Sequence, residues 1–145
     1  MPEQGLPMKE MPWILVVDDD QAILEMIQEL LNSDYLVDSV TNVKEAQSRL
    51  QTRAYDLVLT DMVMPELGGM ELLKYTRLHY PEIPVIVFTG FANFHEAVTA
   101  VKLGAFDYLT KPIQIEILRH TLAHALEFRR LSMVQKDLEV IFQGA

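Results

Sequence analysis

Three carboxylates stand at the ends of two apolar runs of the sequence. Asp18 and Asp19 follow the run at residues 14–17, and Asp61 follows the run at residues 57–60. If both runs are strands of one parallel sheet, the acids converge at the carboxyl edge of that sheet. Crowded carboxylates repel each other unless a cation binds among them. Oxygen ligands of this kind suit Mg²⁺, which keeps several waters and often adds phosphate oxygens.

Thr89 and Lys111 follow two later apolar runs and are predicted to reach the same edge. The formal charges of three carboxylates, one Mg²⁺ and one lysine sum to about zero, so an incoming phosphoryl group would meet a neutralised pocket. A carboxylate can act as the nucleophile in phosphoryl transfer and form an aspartyl phosphate. Asp61 is the predicted nucleophile, because it stands singly after the third strand, and the Asp18–Asp19 pair is the predicted metal arm.

These residues are positioned by an alternation of strands and helices. Apolar periodicity predicts helices between the strands and a last helix from residue 114 onward. The predicted strands are residues 13–17, 36–40, 57–60, 85–88 and 106–109. This alternation is typical of βαβ units and a parallel α/β sheet. Right-handed crossovers and a mixed, edge-like second strand favour the order 2-1-3-4-5, in which the chain switches direction between strands 1 and 3.

Four motifs occur in a familiar order: VVDD at residues 16–19, DMVMP at 61–65 with two glycines at 68–69, FTG at 88–90, and YLTKP at 108–112. With these motifs the chain resembles the receiver domains of bacterial two-component response regulators over about residues 12–127. The resemblance implies a flavodoxin-like, doubly wound (βα)5 fold similar to the chemotaxis regulators, here with an extended C-terminal helix.

The resemblance also implies roles for the clustered residues. Asp61 would accept a phosphoryl group from a sensor histidine kinase. The implied Mg²⁺ ligands are Asp18, Asp19, Asp61 and the backbone carbonyl of Val63. Thr89 and Lys111 would contact the phosphate.

A switch is implied as well. On phosphorylation Thr89 would shift towards the phosphate and Tyr108 would turn inward. The surface of helix 4, strand 5 and helix 5 would then change its partner preference, which is a population shift between two packed states. The Lys111–Pro112 bond is expected to be cis.

Two alternatives to a phosphoacceptor switch remain open. The Asp18–Asp20 run contains the Asp-x-Asp of haloacid dehalogenase-type phosphatases, but Ala22 stands where that family has Thr or Val, and the Asp61 motif stays unexplained. A pseudo-receiver that serves only interaction or dimerisation is the other, and the intact Asp61, Thr89 and Lys111 argue against it. We therefore predict no separate substrate turnover: the chain would phosphorylate and dephosphorylate itself.

Some single residues carry smaller predictions. Asp20 precedes the first helix and is expected to be its N-cap. Val63 and Phe91 occupy the positions two residues beyond the acceptor Asp and beyond Thr89, where the family tunes dephosphorylation. Both are apolar and unable to hold a hydrolytic water, so a long-lived phosphoform is expected. His120 and His124 lie four apart without a third ligand, which favours a solvated helix face.

Composition limits the remaining functions. The chain has 145 residues, no cysteine and a formal net charge of −9, and no apolar run approaches a membrane span. A cytoplasmic protein that makes no membrane contact is expected. The acidic balance predicts that this chain does not bind nucleic acid directly.

We expect a flexible leader at residues 1–11, a receiver domain at 12–130 and a helix extension at 131–145. Residues 138–144 resemble the recognition site of a picornaviral 3C-type protease, so part of the extension is interpreted as a cloning remnant. The natural protein would then continue into an output domain or act on an effector protein. Apolar residues spaced by three and four along the extension also permit a homodimer seam.

Overall fold

The computed structural model of the chain describes residues 10–90 and 93–143. Strands and helices alternate through this part of the chain as β1 (Trp13–Val17), α1 (Gln21–Leu31), β2 (Leu36–Val40), α2 (Val43–Thr52), β3 (Leu57–Asp61), α3 (Gly69–His79), β4 (Val85–Thr89), α4 (Phe94–Lys102), β5 (Asp107–Thr110) and α5 (Ile115–Gln143). The five strands form one parallel sheet in the order β2-β1-β3-β4-β5. The predicted flavodoxin-like fold and strand order are confirmed.

The central strands are the ones with continuous apolar sequence. Every residue of β3 and β4 is buried, as is every residue of β1 after Trp13. The edge strands β2 and β5 are mostly half-buried. This pattern follows from helices on both faces of the sheet, which leave no solvated face for polar residues on a central strand.

Side chains alternate between the two faces of the sheet, so each strand contributes to two cores. Leu15, Val58 and Val85 pack with the cluster that includes α2 and α3 residues. On the other face, Leu59 and Phe88 pack with residues of α1 and α5. These two cores hold the strands in register, and the register fixes which residues meet at the carboxyl edge of the sheet.

Short caps start the helices directly after the strand-end loops. The Asp20 carboxylate accepts a hydrogen bond from the Ala22 N–H at 3.0 Å, so the predicted N-cap is confirmed. Asn42 and Asn93 cap α2 and α4, and each side-chain oxygen accepts from the N–H three residues further along the chain. Such caps satisfy backbone donors that the first helical turn leaves free, so the chain can turn from strand to helix within a few residues.

The last helix, α5, continues well beyond its contact with the sheet. Its buried residues are Leu118, Thr121, Leu122 and Ala125, and residues 133–143 are exposed. At a rise of about 1.5 Å per residue, the part after residue 130 projects roughly 20 Å.

Among the helices that the structure describes, none combines the length and apolar character that crossing a bilayer requires.

Candidate functional site

The three predicted acids meet at the carboxyl edge of the sheet. Asp18 directly follows β1 and Asp61 is the last residue of β3, and β1 pairs with β3 so that Val17 lies opposite Thr60. One carboxylate oxygen from each of Asp18, Asp19 and Asp61 lies within 4.8 Å of the others. Asp18 and Asp61 are buried, whereas Asp19 faces solvent.

Lys111 reaches into this cluster from the loop after β5. Its ammonium lies 3.0 Å from Asp18 Oδ2 and 3.5 Å from Asp61 Oδ2. The Lys111 backbone N–H also donates to the Thr89 carbonyl at 2.8 Å, which fixes the start of the loop against the end of β4. One cation therefore bridges the acids of the first and third strands.

The protonation equilibria reflect this crowding. Burial raises the pKa of the Asp61 carboxyl, and the Asp18 charge raises it further, while Lys111 and the Val63 N–H oppose the rise without cancelling it. Burial alone would lower the pKa of Lys111, but Asp18 and Asp61 outweigh that effect and hold the pKa above its usual value. Lys111 is therefore positively charged at neutral pH, and its charge offsets only part of the negative charge of the acids.

Backbone donors orient the two buried carboxylates. The Asp20 N–H donates to Asp18 Oδ1 at 2.9 Å, and the Val63 N–H approaches Asp61 Oδ1 at 3.4 Å. Val63 itself is 56% exposed at the rim of the site. The contact of the Val63 N–H with Asp61 places the Val63 backbone beside that carboxylate. The role of the Val63 carbonyl as a metal ligand stays a prediction.

Thr89 ends β4 beside this cluster, and Tyr108 lies in the neighbouring strand β5, two residues before that strand ends. Thr89 is the last residue of β4 and is 1% exposed. Tyr108 is half-buried in β5, and burial of its hydroxyl, together with the charge of Glu96, raises the pKa of Tyr108. The Lys111–Pro112 peptide bond is cis, as the resemblance implied. Phe91, which we predicted to slow dephosphorylation, lies outside the described residues.

Two supporting features were not predicted. The Lys111 ammonium lies 5.1 Å from the centre of the fully buried Phe88 ring, within the range of a cation–π contact. Gly69 lies so close to the end of β3 that a Cβ there would overlap the Asp61 carbonyl oxygen. The paired glycines signal a close approach in the sequence, but nothing in the sequence says which backbone atoms are approached.

The other single residues take simpler places. Met62 and Met64 are buried in the core. His120 and His124 are exposed on α5 with their ring centres 6.3 Å apart, and His124 packs edge-on against Phe106. Within residues 10–90 and 93–143, the acid cluster of Asp18, Asp19 and Asp61 is the one group of three or more potential metal ligands.

The donor set fits a hard divalent cation, because it offers carboxylate oxygens and an incompletely compensated negative charge. We therefore expect Mg²⁺ to stabilise the protein. At free Mg²⁺ ten times its Kd, the gain would be about 1.4 kcal/mol, or roughly 5 °C in Tm for a domain of this size. Differential scanning calorimetry with Mg²⁺ and with a chelator measures it.

Asp19→Asn should reduce this shift, since it removes a ligand oxygen that is already solvated and should leave the fold intact. Asp34→Asn is the matched control, because it removes the same charge from an exposed position in the α1–β2 connection. An equal shift in wild type and Asp19→Asn would contradict a magnesium site at the carboxyl edge.

The comparisons with known proteins agree with this combination of an acidic, lysine-bridged pocket and a doubly wound α/β sheet. The profile of the response regulator receiver domain matches residues 14–123. The chain therefore belongs to the receiver domain family of two-component response regulators. Receiver domains of response regulators are signalling proteins rather than enzymes that turn over a separate substrate.

Individual relatives support the same assignment. The response regulator protein PilR of Pseudomonas aeruginosa is 40% identical over 116 residues, which are 79% of this chain and 26% of PilR. The transcriptional regulatory protein ZraR of Klebsiella oxytoca is 41% identical over 120 residues, or 82% of this chain and 27% of ZraR. The structure of NtrX from Brucella abortus aligns with a TM-score of 0.84 at 30% identity, covering 89% of this chain and 30% of NtrX.

This chain thus spans about a quarter of the length of the curated relatives that it matches. ZraR is by name a transcriptional regulator, so our expectation that the chain avoids nucleic acid gains no support from its relatives. That expectation rests on the net charge alone.

Proposed function

We propose that Asp61 accepts a phosphoryl group from a sensor histidine kinase, with Mg²⁺ bound, and that the resulting aspartyl phosphate switches the domain between two signalling states. One observation carries the proposal. The Asp61 carboxylate lies at the strand end beside two further acids and within 3.5 Å of the Lys111 ammonium. A lone surface aspartate would have neither a metal arm nor a cation for the phosphoryl oxygens.

The proposed transfer needs little from the protein beyond position and charge. An Asp61 oxygen forms the new P–O bond as the P–N bond of the kinase phosphohistidine breaks, and the imidazole leaves with that electron pair. Mg²⁺ would supply positive charge shared between the acids and the phosphoryl oxygens. Lys111 would pair with one phosphoryl oxygen and Thr89 would donate its hydroxyl to another. Asp18, Asp19 and the Val63 carbonyl are the proposed remaining metal ligands.

The direct test uses a small-molecule donor. The chain is incubated with acetyl phosphate and Mg²⁺, and its intact mass is measured against a sample with chelator. We expect a gain of one phosphoryl group only when Mg²⁺ is present. An unmodified chain would favour the pseudo-receiver alternative, and steady turnover of a generic phosphate ester would favour a phosphatase.

The output of the switch is also part of the proposal. We propose that phosphorylation moves Thr89 and Tyr108 and so changes the surface of α4, β5 and α5, which controls an output domain or effector protein beyond the C-terminus. We also propose that the chain divides into a leader at residues 1–11, a receiver domain at 12–130 and a helix extension at 131–145. We further propose that the chain can form a homodimer.

The exposed apolar side chain of Val63 should prolong the life of the phosphoform, because it offers no hydrogen bond to a hydrolytic water beside Asp61. Val63→Asn is expected to speed phosphate loss about tenfold. The rate is followed by intact mass after a pulse of acetyl phosphate. Leu78→Asn, an equally polar change at an exposed α3 position, is the control. Equal decay rates in wild type and Val63→Asn would contradict this role for Val63.

A further inference from the structure

A cavity lies at the end of the sheet opposite the acid cluster. It has a volume of about 510 Å³ and is bounded by Pro84 and Phe106, which directly precede β4 and β5. Asp61 and Thr89 end their strands at the other edge, about 15 Å away along a five-residue strand. Residues of α5 form the facing wall. We call this cavity the basal pocket, and it is separate from the proposed phosphorylation site.

One part of the basal pocket is apolar. The rings of Phe106 and Phe128 lie 5.6 Å apart, and Met133 follows one and a half turns further along α5. Phe128 is 57% and Met133 42% exposed, although both line a concave surface. The volume falls within the roughly 300–1,000 Å³ of small-molecule sites, which combine apolar walls with a few polar groups.

The polar part is basic, although the chain carries a net charge of −9. Arg77, Arg129 and Lys136 line the basal pocket, with Glu82 as the one acid among the lining residues. Arg129 is paired with Asp56, which lies outside the lining, at 3.1 Å. Counting that partner still leaves the pocket with a formal excess of one positive charge, against the sign of the whole chain.

Both arginines are held in place before any ligand binds. The Arg77 guanidinium donates to the Pro81 carbonyl at 2.6 Å and lies across Gly104, where a Cβ would come within 2.9 Å of Arg77 Nε. Arg129 donates through one terminal nitrogen to Asp56, and its buried Nε has no hydrogen-bond partner in the described part of the chain. A guanidinium has five N–H donors, so each arginine is fixed by a small part of its hydrogen-bonding capacity.

We propose that the basal pocket binds a small amphipathic anion, with a ring-sized apolar body and one carboxylate or phosphate group. The apolar body would pack on Phe106, Phe128 and Met133. The anionic group would pair with Lys136 and the two anchored arginines, since two oxygens of a carboxylate or of a phosphate match the fork of a guanidinium. Because α5 supplies much of the wall, such a ligand would contact that helix at the point where it leaves the body of the domain.

Fluorescence titration with 8-anilino-1-naphthalenesulfonate tests the proposal on the full chain, since this probe is an aromatic anion. We expect one saturable site. Naphthoate and naphthyl phosphate should both displace the probe, and the relative strength of the two identifies the preferred head group. Naphthalenemethanol, which has the same rings and no charge, should compete about tenfold more weakly, equivalent to about 1.4 kcal/mol. Equal competition by the uncharged compound would overturn the proposal.

Two variants locate the binding. Ser132 lines the basal pocket, so Ser132→Trp should fill it and weaken probe binding at least about tenfold. Gln135→Trp, on an exposed position of α5 outside the lining, should leave binding unchanged. Binding that survives Ser132→Trp, or falls equally in Gln135→Trp, would place the probe elsewhere on the exposed helix and overturn the proposal.

The charge is tested at the rim. Lys136→Glu should weaken binding about fivefold, as expected for an exposed ion pair, whereas Lys44→Glu makes the same charge change on α2 and should have no effect. Equal effects of the two substitutions would overturn the assigned role of Lys136. None of these measurements requires phosphorylation of Asp61, so they are independent of the proposed switch.

Discussion

Asp61→Asn is expected to abolish the Mg²⁺-dependent uptake of a phosphoryl group from acetyl phosphate. An amide is nearly the same size as the carboxylate, but its oxygen is a poor nucleophile and it carries no charge for the metal. Asp61 is buried with one carboxylate oxygen 3.5 Å from the Lys111 ammonium, so the substitution removes the proposed acceptor with little change of shape. Intact-mass measurement after incubation with the donor should show full modification of wild type and none of the variant.

A control separates loss of the acceptor from loss of a charge. Asp34→Asn removes one carboxylate from an exposed position away from the acid cluster and should be phosphorylated like the wild type. Peptide mapping of the wild-type product should place the added group on the peptide that contains Asp61. A mass gain in Asp61→Asn, or a modified peptide without Asp61, would show that the acceptor is a different residue.

The same substitution should change stability in the absence of metal. The pKa of Asp61 is raised in the folded protein, so the folded state binds that proton more tightly than the unfolded chain. The free energy of unfolding therefore falls as the pH rises from the ordinary carboxyl value of 3.8 through the folded pKa, and it stays reduced above. With chelator present, Asp61→Asn should be the more stable protein at neutral pH. The difference should shrink on acidification, as urea unfolding would show.

The convergence of the site could be predicted because it depends on topology. In a parallel sheet, every strand ends at the same edge, so the polar residues after apolar runs must share that edge. Asp18, Asp61, Thr89 and Lys111 followed from this rule, and Lys111 does contact both buried acids. The ends of the strands were predicted less accurately. The apolar run stops before Asp61, but β3 includes that residue. The N–H of the next residue, Met62, still donates to the Phe88 carbonyl.

Features that depend on side-chain direction or loop path could not be predicted. The sequence predicts that Phe88 is a core residue. Its position beneath the Lys111 ammonium depends on the path of the loop after β5 over the end of β4, which the sequence does not indicate. The basal pocket joins residues of α3 and α5 with loops that are distant in the sequence. Neither arrangement has a periodicity or a motif, because each arises from the packing of already formed elements.

Gly69→Ala is expected to destabilise the domain by about 3 kcal/mol, at the upper end of the usual cost of overpacking. The added Cβ would overlap the Asp61 carbonyl oxygen and would come within 3.1 Å of the Met62 Cα. All of these neighbours are backbone atoms, so no change of rotamer can relieve the contact. Helix α3 would have to move away from the end of β3, which would strain the 3.0 Å hydrogen bond from the Gly69 N–H to the Met62 carbonyl.

Gly90→Ala is the matched control, because the Cβ of that variant would meet only the Lys111 Cδ, at an ordinary 3.9 Å. Its free energy of unfolding in urea should lie within about 1 kcal/mol of wild type. Because the clash at Gly69 falls on the backbone of Asp61, Gly69→Ala should also weaken the Mg²⁺-dependent thermal shift. Equal stability of the two variants would mean that the β3–α3 loop can shift to accommodate the added Cβ at little cost. The orientation of the Asp61 side chain would then depend on its own contacts and not on the position of its backbone.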